Sequence, residues 1–296
     1  MGLKTSELSP LLVPGRYVLA VSGGVDSVAL LDMAARQASL STAGAYELIV
    51  AHFDHGIRAD SAQDATFVAE LAKQYGLSFE SQREELGARA SEALARTRRY
   101  GFLRAVAKRY AASLVTAHHA DDAVETIAIN LIRGTGWRGL AVLDSDIIRP
   151  LLDLSKQEIL AHASTHQLTW REDSTNASDA YLRNRLRRKT GVLTDDSKRQ
   201  LLGLRVQQVA LKQQIDEEVQ KLIGEGPAYS RYFFTHLDTA TAMECLRSGT
   251  HARLTRPQLS KALLAIKTAR PGAAYQAGGG VQFRFTSRNF KVELIK

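Results

Sequence analysis

The sequence predicts an α/β protein: a doubly wound parallel sheet, then a helical connector and a small C-terminal domain. Three observations carry this reading. Apolar, β-prone runs alternate with amphipathic helical stretches through the first half of the chain, the order that builds a parallel sheet with helices on both faces. The first strand runs directly into a Gly-rich turn, Ser22-Gly23-Gly24-Val25-Asp26-Ser27, at the start of a helix. From about residue 180 the pattern becomes a long charged helical stretch, broken by Gly224-Glu225-Gly226-Pro227.

The elements follow in order. Tyr17 to Val21 is a buried strand and Val28 to Ala35 lies in the helix after the turn. Glu47 to Phe53 is a second strand, residues 63–75 a helix, and Leu77 to Gln82 a short third strand. Residues 91–110 form a long helix with Leu94, Leu103, Val106 and Ala107 on its apolar side. Ser113 to Ala117 is a fourth strand, followed by a helix from Asp121 to Arg133. Asp146 to Leu151 reads as a fifth strand with Pro150 near its end, and Ser155 to His166 as the next helix. The remainder mixes short strands and helices and ends in strands at 281–285 and 291–295. The boundaries expected are a catalytic domain over 1–180, a basic helical connector over 181–224 and a small C-terminal domain over 225–296.

Composition narrows the classes. At 296 residues, 45% hydrophobic and 24% charged, the chain has the make-up of a globular protein with room for a large and a small domain. No apolar run approaches the ~20 residues that span a bilayer, and the N-terminus lacks a charged-then-apolar signal layout. Cys245, the single cysteine, excludes an intrachain disulfide framework and any multi-cysteine zinc or iron–sulfur site. The cytosol is the expected compartment and no membrane contact is expected. A net charge of +8 favours a polyanionic partner.

The turn at 22–27 sits where a phosphate would sit. A strand feeding a Gly-rich turn at a helix start presents unpaired N–H groups together with the positive end of the helix dipole. Gly23 and Gly24 permit close approach, Ser22 and Ser27 add hydroxyls, and Asp26 adds a carboxylate suited to a metal ion. The plain alternative is a tight turn with Asp26 or Ser27 as a helix cap. No Gly-x-x-x-x-Gly-Lys-Ser/Thr pattern occurs, which excludes P-loop kinases and GTPases. The turn resembles instead the Ser-Gly-Gly-x-Asp-Ser loop of the PP-loop ATP pyrophosphatases.

Further constellations lie at the strand ends. Ala51 and His52 reach the nucleotide-facing end of the second strand, where His52 and Asp54 point one way and Phe53 the other. His55 and Arg58 follow, with Arg58 available to phosphate or RNA. On the third helix Arg96 and Arg99 are either surface charges, Arg96 pairing with Glu92 at i, i+4, or groups that orient a substrate. After the fourth strand come His118 and His119, then Asp122 and Glu125 on one face of the next helix. Those carboxylates either favour the helix dipole or hold Mg²⁺ or a cationic amine. Residues 134–139 spell Gly-x-Gly-x-x-Gly, but they follow a helix rather than a strand, so the dinucleotide fingerprint is rejected and a loop closing over substrate fits better. Asp173 to Asn176 is a turn cluster, and Arg183, Arg185, Arg187 and Arg188 form a dense basic run suited to RNA phosphates.

Taken in order, these segments resemble the tRNA(Ile)-lysidine synthetase family. The carriers are 22–27, His-Phe-Asp-His-Gly-Ile-Arg at 52–58, the stretch at 92–100, and Thr-Ala-His-His-Ala-Asp-Asp-Ala-Val-Glu-Thr at 116–126. Arg133-Gly134, Arg149 to Leu152, Asp173 to Asn176 and Arg183 to Arg187 add to them. The resemblance covers roughly residues 17–190 and implies an adenine nucleotide α-hydrolase-like fold. It implies ATP-dependent ligation of free L-lysine to C2 of the wobble cytidine of a CAU-anticodon tRNA(Ile), through an adenylated base. It places pyrophosphate in the 22–27 loop with Mg²⁺ near Asp26, and activation and lysine handling at Arg99, His118, Asp122 and Glu125. It makes the C-terminal domain a tRNA-binding one and admits a homodimer. Longer members carry a second C-terminal domain, and this chain resembles the shorter ones. Thiolation enzymes that share the loop generally need several cysteines. Small-substrate synthetases of this fold need no basic run, and an RNA-binding protein without catalysis leaves the loop unexplained.

Overall fold

The computed structural model describes residues 10–56, 61–87, 90–171, 193–224 and 226–295. The chain divides into two compact units, residues 1–206 and 207–296. Arg58, Asp173 to Asn176, Arg183, Arg185, Arg187 and Arg188 lie outside the described residues.

In the first unit, β1 (Gly15–Ala20), β2 (Tyr46–Asp54), β3 (Ser78–Arg83) and β4 (Ser113–Val115) form a parallel sheet in the order β3-β2-β1-β4. Val18 on β1 stands opposite Ile49 on β2 and Leu114 on β4. Successive side chains point to opposite faces, so each central strand must be apolar on both. Leu19 and Val50 pack with Val28 and Leu31 of α1 (Val25–Ser39), Val68 of α2 (Ser61–Gln74) and Ile159 of α5 (Lys156–Thr165). Val18, Ile49 and Phe53 pack on the other face against Leu103 and Val106 of α3 (Glu92–Arg109). Each buried Leu or Val of these layers contributes on the order of 1.5–3 kcal/mol. The remaining helix, α4 (Ala120–Ile132), follows β4 directly.

The expected fifth strand at 146–151 shrinks to a single bridge. Ile148 pairs in parallel with Val115, donating to Leu114 O at 2.9 Å and accepting from Thr116 N–H at 3.0 Å. Pro150 removes the next donor. The Arg149 guanidinium takes the carbonyls of Leu143 and Ile147 at 2.8 and 2.9 Å, which withdraws the neighbouring acceptor from any ladder. The Gly-rich stretch 134–139 follows α4, not a strand, and leads into a 3₁₀ turn, Trp137–Leu140.

Strand order reverses between β1 and β4. In open α/β sheets ligands bind beyond the carboxyl ends of the strands at such a switch point. The 22–27 loop leaves β1 there and residues 116–119 leave β4 beside it.

Helix α6 (Asp195–Ile223) runs from the first unit into the second. The second unit then builds β5 (Ala228–Ser230), α7 (Arg231–His236), α8 (Thr239–Gly249), α9 (Arg256–Thr268), β6 (Ala274–Gly278), β7 (Val281–Phe285) and β8 (Asn289–Leu294). Its strands are antiparallel in the order β5-β8-β7-β6. Alternating Val281, Phe283 and Phe285 face a core with Phe234, Leu246, Leu259, Ile266 and Phe290. Cys245 is sealed in this core, and burial pushes its thiol up to about 11, so it packs as a small hydrophobe. Among the described residues no helix is long and apolar enough to cross a membrane.

Candidate active site

The first turn of α1 differs from those of several other helices. Ser91 caps α3 and Asp238 caps α8 through their side chains, and Ser155 closes a capping box with Glu158 on α5. The N-cap of α1 is Gly24, with no side-chain cap at all. Neither Asp26 nor Ser27 caps the helix. Ser27 Oγ turns back into the loop, donating to Gly24 O at 2.8 Å and accepting from Ser22 N–H at 3.1 Å, with Ser22 Oγ 3.2 Å away. Val25 takes the first helical position. Gly23 has φ +92°, a conformation that disfavours any side chain, and its carbonyl accepts from Arg171 N–H at 3.0 Å. The result is a rigid loop at an uncapped helix start, the arrangement that receives an anion.

Around the loop the strand ends supply polar groups. Ala51 and His52 are buried on β2, and the His52 Nδ1–H donates to Val21 O at 2.8 Å, tying the end of β2 to the root of the loop. Asp54 is buried too, accepting from Gly56 N–H at 2.9 Å and from Arg83 at 3.1 Å. Burial opposes its ionisation, but Gly56, Ser61 and Arg83 together hold its carboxyl below the usual range. Burial and the nearby Arg99 push the His55 imidazole down, toward its neutral form. Arg96 and Arg99 flank the Tyr100 ring at 4.8 and 5.3 Å from its centre.

From β4, His118 Nδ1 shares a hydrogen bond of 2.8 Å with Thr116 Oγ1, which orients the ring. Asp122 and Glu125 are both buried at the start of α4. Asp122 accepts from the His119 backbone N–H at 3.1 Å, so the capping role and the site role fall on one carboxylate.

Beside these stand His119, which the sequence placed at the strand end, and Asp121, Lys156 and Lys198, to which it gave no role. His119 is buried with Nε2 3.5 Å from Asp122 and 3.8 Å from Asp26, and Nδ1 3.8 Å from Asp121. Asp121 accepts from Lys198 Nζ at 2.7 Å and from Lys156 N–H at 2.8 Å. Although burial opposes ionisation, those two bonds hold its carboxyl below the usual range. Lys156 Nζ donates to Asp26 Oδ1 at 2.5 Å. Histidine is visible in the motif as a second His, but Lys156 and Lys198 are distant in sequence and carry no local signal.

Deeper on α1, Asp32 is fully buried and accepts four hydrogen bonds: two from Arg36 Nε, one from Tyr75 Oη at 2.6 Å and one from His162 Nε2 at 2.8 Å. Burial opposes its charge, yet His162, Arg36 and Tyr75 hold its carboxyl far below the ordinary range. Asp32, His162 and His166 bring ligand atoms within 4.8 Å of one another. With the Asp32 oxygens saturated and His166 Nδ1–H committed to His162 O at 3.0 Å, the cluster is a structural clasp between α1 and α5 rather than a metal centre.

A doubly wound sheet with an uncapped, Gly-rich anion loop at its switch point defines a nucleotide-binding α/β domain. Residues 4–192 match the family model for the PP-loop domain, and the chain belongs to that family. Among curated proteins, a tRNA(Ile)-lysidine synthase of Enterococcus faecalis is 36% identical over 74% of this chain and 54% of its own length. One of Geobacter sulfurreducens is 41% identical over 59% of this chain and 39% of its own length. The chain thus spans about half or less of the length of these relatives. Among solved structures, the U34-tRNA thiolase NcsA from Methanococcus maripaludis superposes with a TM-score of 0.53 at 17% identity, over 70% of this chain and 73% of that one. That likeness shows the fold alone.

Proposed function

We propose that this protein ligates free L-lysine to C2 of the wobble cytidine of a CAU-anticodon tRNA(Ile), using ATP and releasing pyrophosphate and AMP. The observation that carries the reading is the pairing of an uncapped phosphate loop with buried His119, Asp122 and Glu125 and with His118, at one switch point. Relatives named tRNA(Ile)-lysidine synthase support it.

The chemistry divides in two. A C2–O bond has no adequate leaving group, so the C2 oxygen first attacks the α-phosphate of ATP and pyrophosphate departs into the 22–27 loop. Ser22, the uncapped N–H groups of α1 and the helix dipole stabilise the charge that develops there. The lysine ε-amine then attacks C2 and AMP leaves. That amine must be neutral to attack, so a carboxylate or imidazole near Asp122, Glu125 and His118 takes its proton. The same carboxylates recognise the ammonium before transfer, and Arg96 and Arg99 face the anion or the base.

A carboxylate already drawn to a cation, Asp26 with Lys156 on one oxygen and His119 near the other, fits a hard divalent ion. Asp26 would hold Mg²⁺ there, and the ion would supply charge neutralisation for the departing pyrophosphate. Residues 207–296 contain 13 Lys and Arg against 7 Asp and Glu, so most of the net charge falls in the C-terminal unit, which suits a tRNA-binding role beside the basic run at 183–188. The proposal keeps the domain boundaries at 180 and 224, the cytosol as compartment and a homodimer as a workable assembly.

The test is the purified chain with unmodified tRNA(Ile), ATP and either labelled lysine or labelled sulfide. Lysine entering the tRNA with release of pyrophosphate is the expected result. Sulfide entering in its place, or neither label entering while ATP is bound, overturns the reading.

A further inference from the structure

We propose that Lys156 is a phosphate ligand of the ATP site, parked on Asp26 until a nucleotide arrives. The proposal rests on the loop at 22–27 binding ATP, and goes beyond it by adding a cation from a distant helix. Three observations carry it.

Lys156 is anchored by its backbone, and its tip is held by an exposed ion pair with Asp26. Its N–H is fixed to Asp121, and the helix it starts is closed by the Ser155–Glu158 capping box. The ammonium reaches the opening of the uncapped α1 turn and is 38% exposed, while Asp26 is 32% exposed. An ion pair that open contributes little to stability. Breaking it is therefore a small cost for a ligand to meet.

The pair is also unnecessary as a strap between helices. Six residues further along both α1 and α5, His162 makes the same cross-helix link to Asp32, which is fully buried and takes added bonds from Arg36 and Tyr75. The α1–α5 contact is secured there. A second, exposed link at the mouth of the anion loop adds little to that task, but puts one mobile positive charge where a triphosphate has its highest negative charge.

Finally, the loop itself holds no cationic side chain. Ser22 to Ser27 offers N–H groups and hydroxyls only, with Asp26 adding negative charge. A P-loop solves this with an internal lysine. Here the lysine comes from the N-terminus of α5, with three rotatable donors on a flexible stem. An incoming triphosphate draws the ammonium off Asp26 and frees that carboxylate.

The experiment measures binding of ATP, inorganic pyrophosphate and AMP to the wild type, Lys156→Met and Lys156→Arg by calorimetry, with Mg²⁺ and again in EDTA. Lys156→Met is expected to weaken ATP and pyrophosphate about tenfold or more under both conditions, the worth of one charge-assisted bond, and to leave AMP within about twofold. Lys156→Arg is expected to recover most of the loss, and thermal melting of both variants to match the wild type. Unchanged ATP affinity in Lys156→Met, or equal loss for ATP and AMP, overturns the role of Lys156. A melting temperature lowered in both variants with ATP affinity unaffected makes the pair a strap and overturns it also. A wild-type chain that binds AMP and ATP equally overturns the phosphate reading of the loop itself, and Lys156 with it.

Discussion

Asp26 and Asp32 lie six residues apart on the same helix, and each meets a basic residue 130 positions later on α5. Their environments differ in one respect that decides their use. Asp32 is fully buried and saturated by Arg36, Tyr75 and His162, so its charge cannot be redirected without leaving polar groups stranded. Asp26 is a third exposed, with one direct donor and an imidazole at 3.8 Å, so its partner can be exchanged. One carboxylate holds two helices together, and the other, six residues nearer the loop, meets the ligand. The gradient from sealed to open along a turn and a half of helix separates structure from chemistry.

Substitutions can break that contrast. Asp32→Ala is expected to have the largest effect, a loss of about 2–3 kcal/mol of stability in urea titration, because it leaves the half-buried His162 and Tyr75 without their acceptor. Asp26→Asn is expected to leave stability within about 1 kcal/mol, while lowering ATP-dependent pyrophosphate release about a hundredfold, or ~2.7 kcal/mol of barrier. Comparable loss of stability from both would erase the distinction. Gly23→Ala forces a side chain into a backbone at φ +92° and is expected to cost about 1–2 kcal/mol of stability, with weakened ATP binding measured in the same titration. Ser155→Ala removes the cap of α5 and is expected to cost about 1 kcal/mol, weakening ATP binding less than Lys156→Met does.

Acid sharpens the comparison further. Because the folded pKa of Asp32 lies below its unfolded value of 3.8, the stability it contributes is present above about pH 4 and disappears as pH falls through the folded pKa. Wild type and Asp32→Asn should therefore differ most in urea midpoint at pH 6 and draw steadily together as pH falls from about 4 toward the folded pKa. Midpoints that stay apart in acid would show that the clasp does not depend on the carboxylate's charge.

Much of the first unit was legible in the linear chain because its signals are local. The apolar strand at 17–21, the turn at 22–27 and the following helix are contiguous, and His118, Asp122 and Glu125 fall on one strand end and one helix start. Strands β1 to β4 and helices α1 to α5 lie within a few residues of where periodicity put them. The fifth strand failed because a run of apolar residues does not say where its carbonyls go. Arg149 captures that of Ile147 together with the Leu143 carbonyl before the run, an outcome that needs the guanidinium and the loop in place. The roles of Asp26 and Ser27 stayed open for a similar reason: either residue type caps helices, and only the geometry shows Ser27 turned into the loop.

What the sequence determined by itself was the order of strands and helices, the phosphate loop and the motif residues around it, since backbone preference and periodicity act over a few residues. What only the tertiary structure decided was which distant groups meet: Lys156 on Asp26, His162 on Asp32, and His119 among Asp26, Asp121 and Asp122. Those contacts depend on how α1, α4 and α5 pack around the end of the sheet. Charge on an isolated segment carries no record of its partner. The low-dielectric, partly dry space that makes one carboxylate a clasp and leaves its neighbour free to bind exists only once the helices have packed.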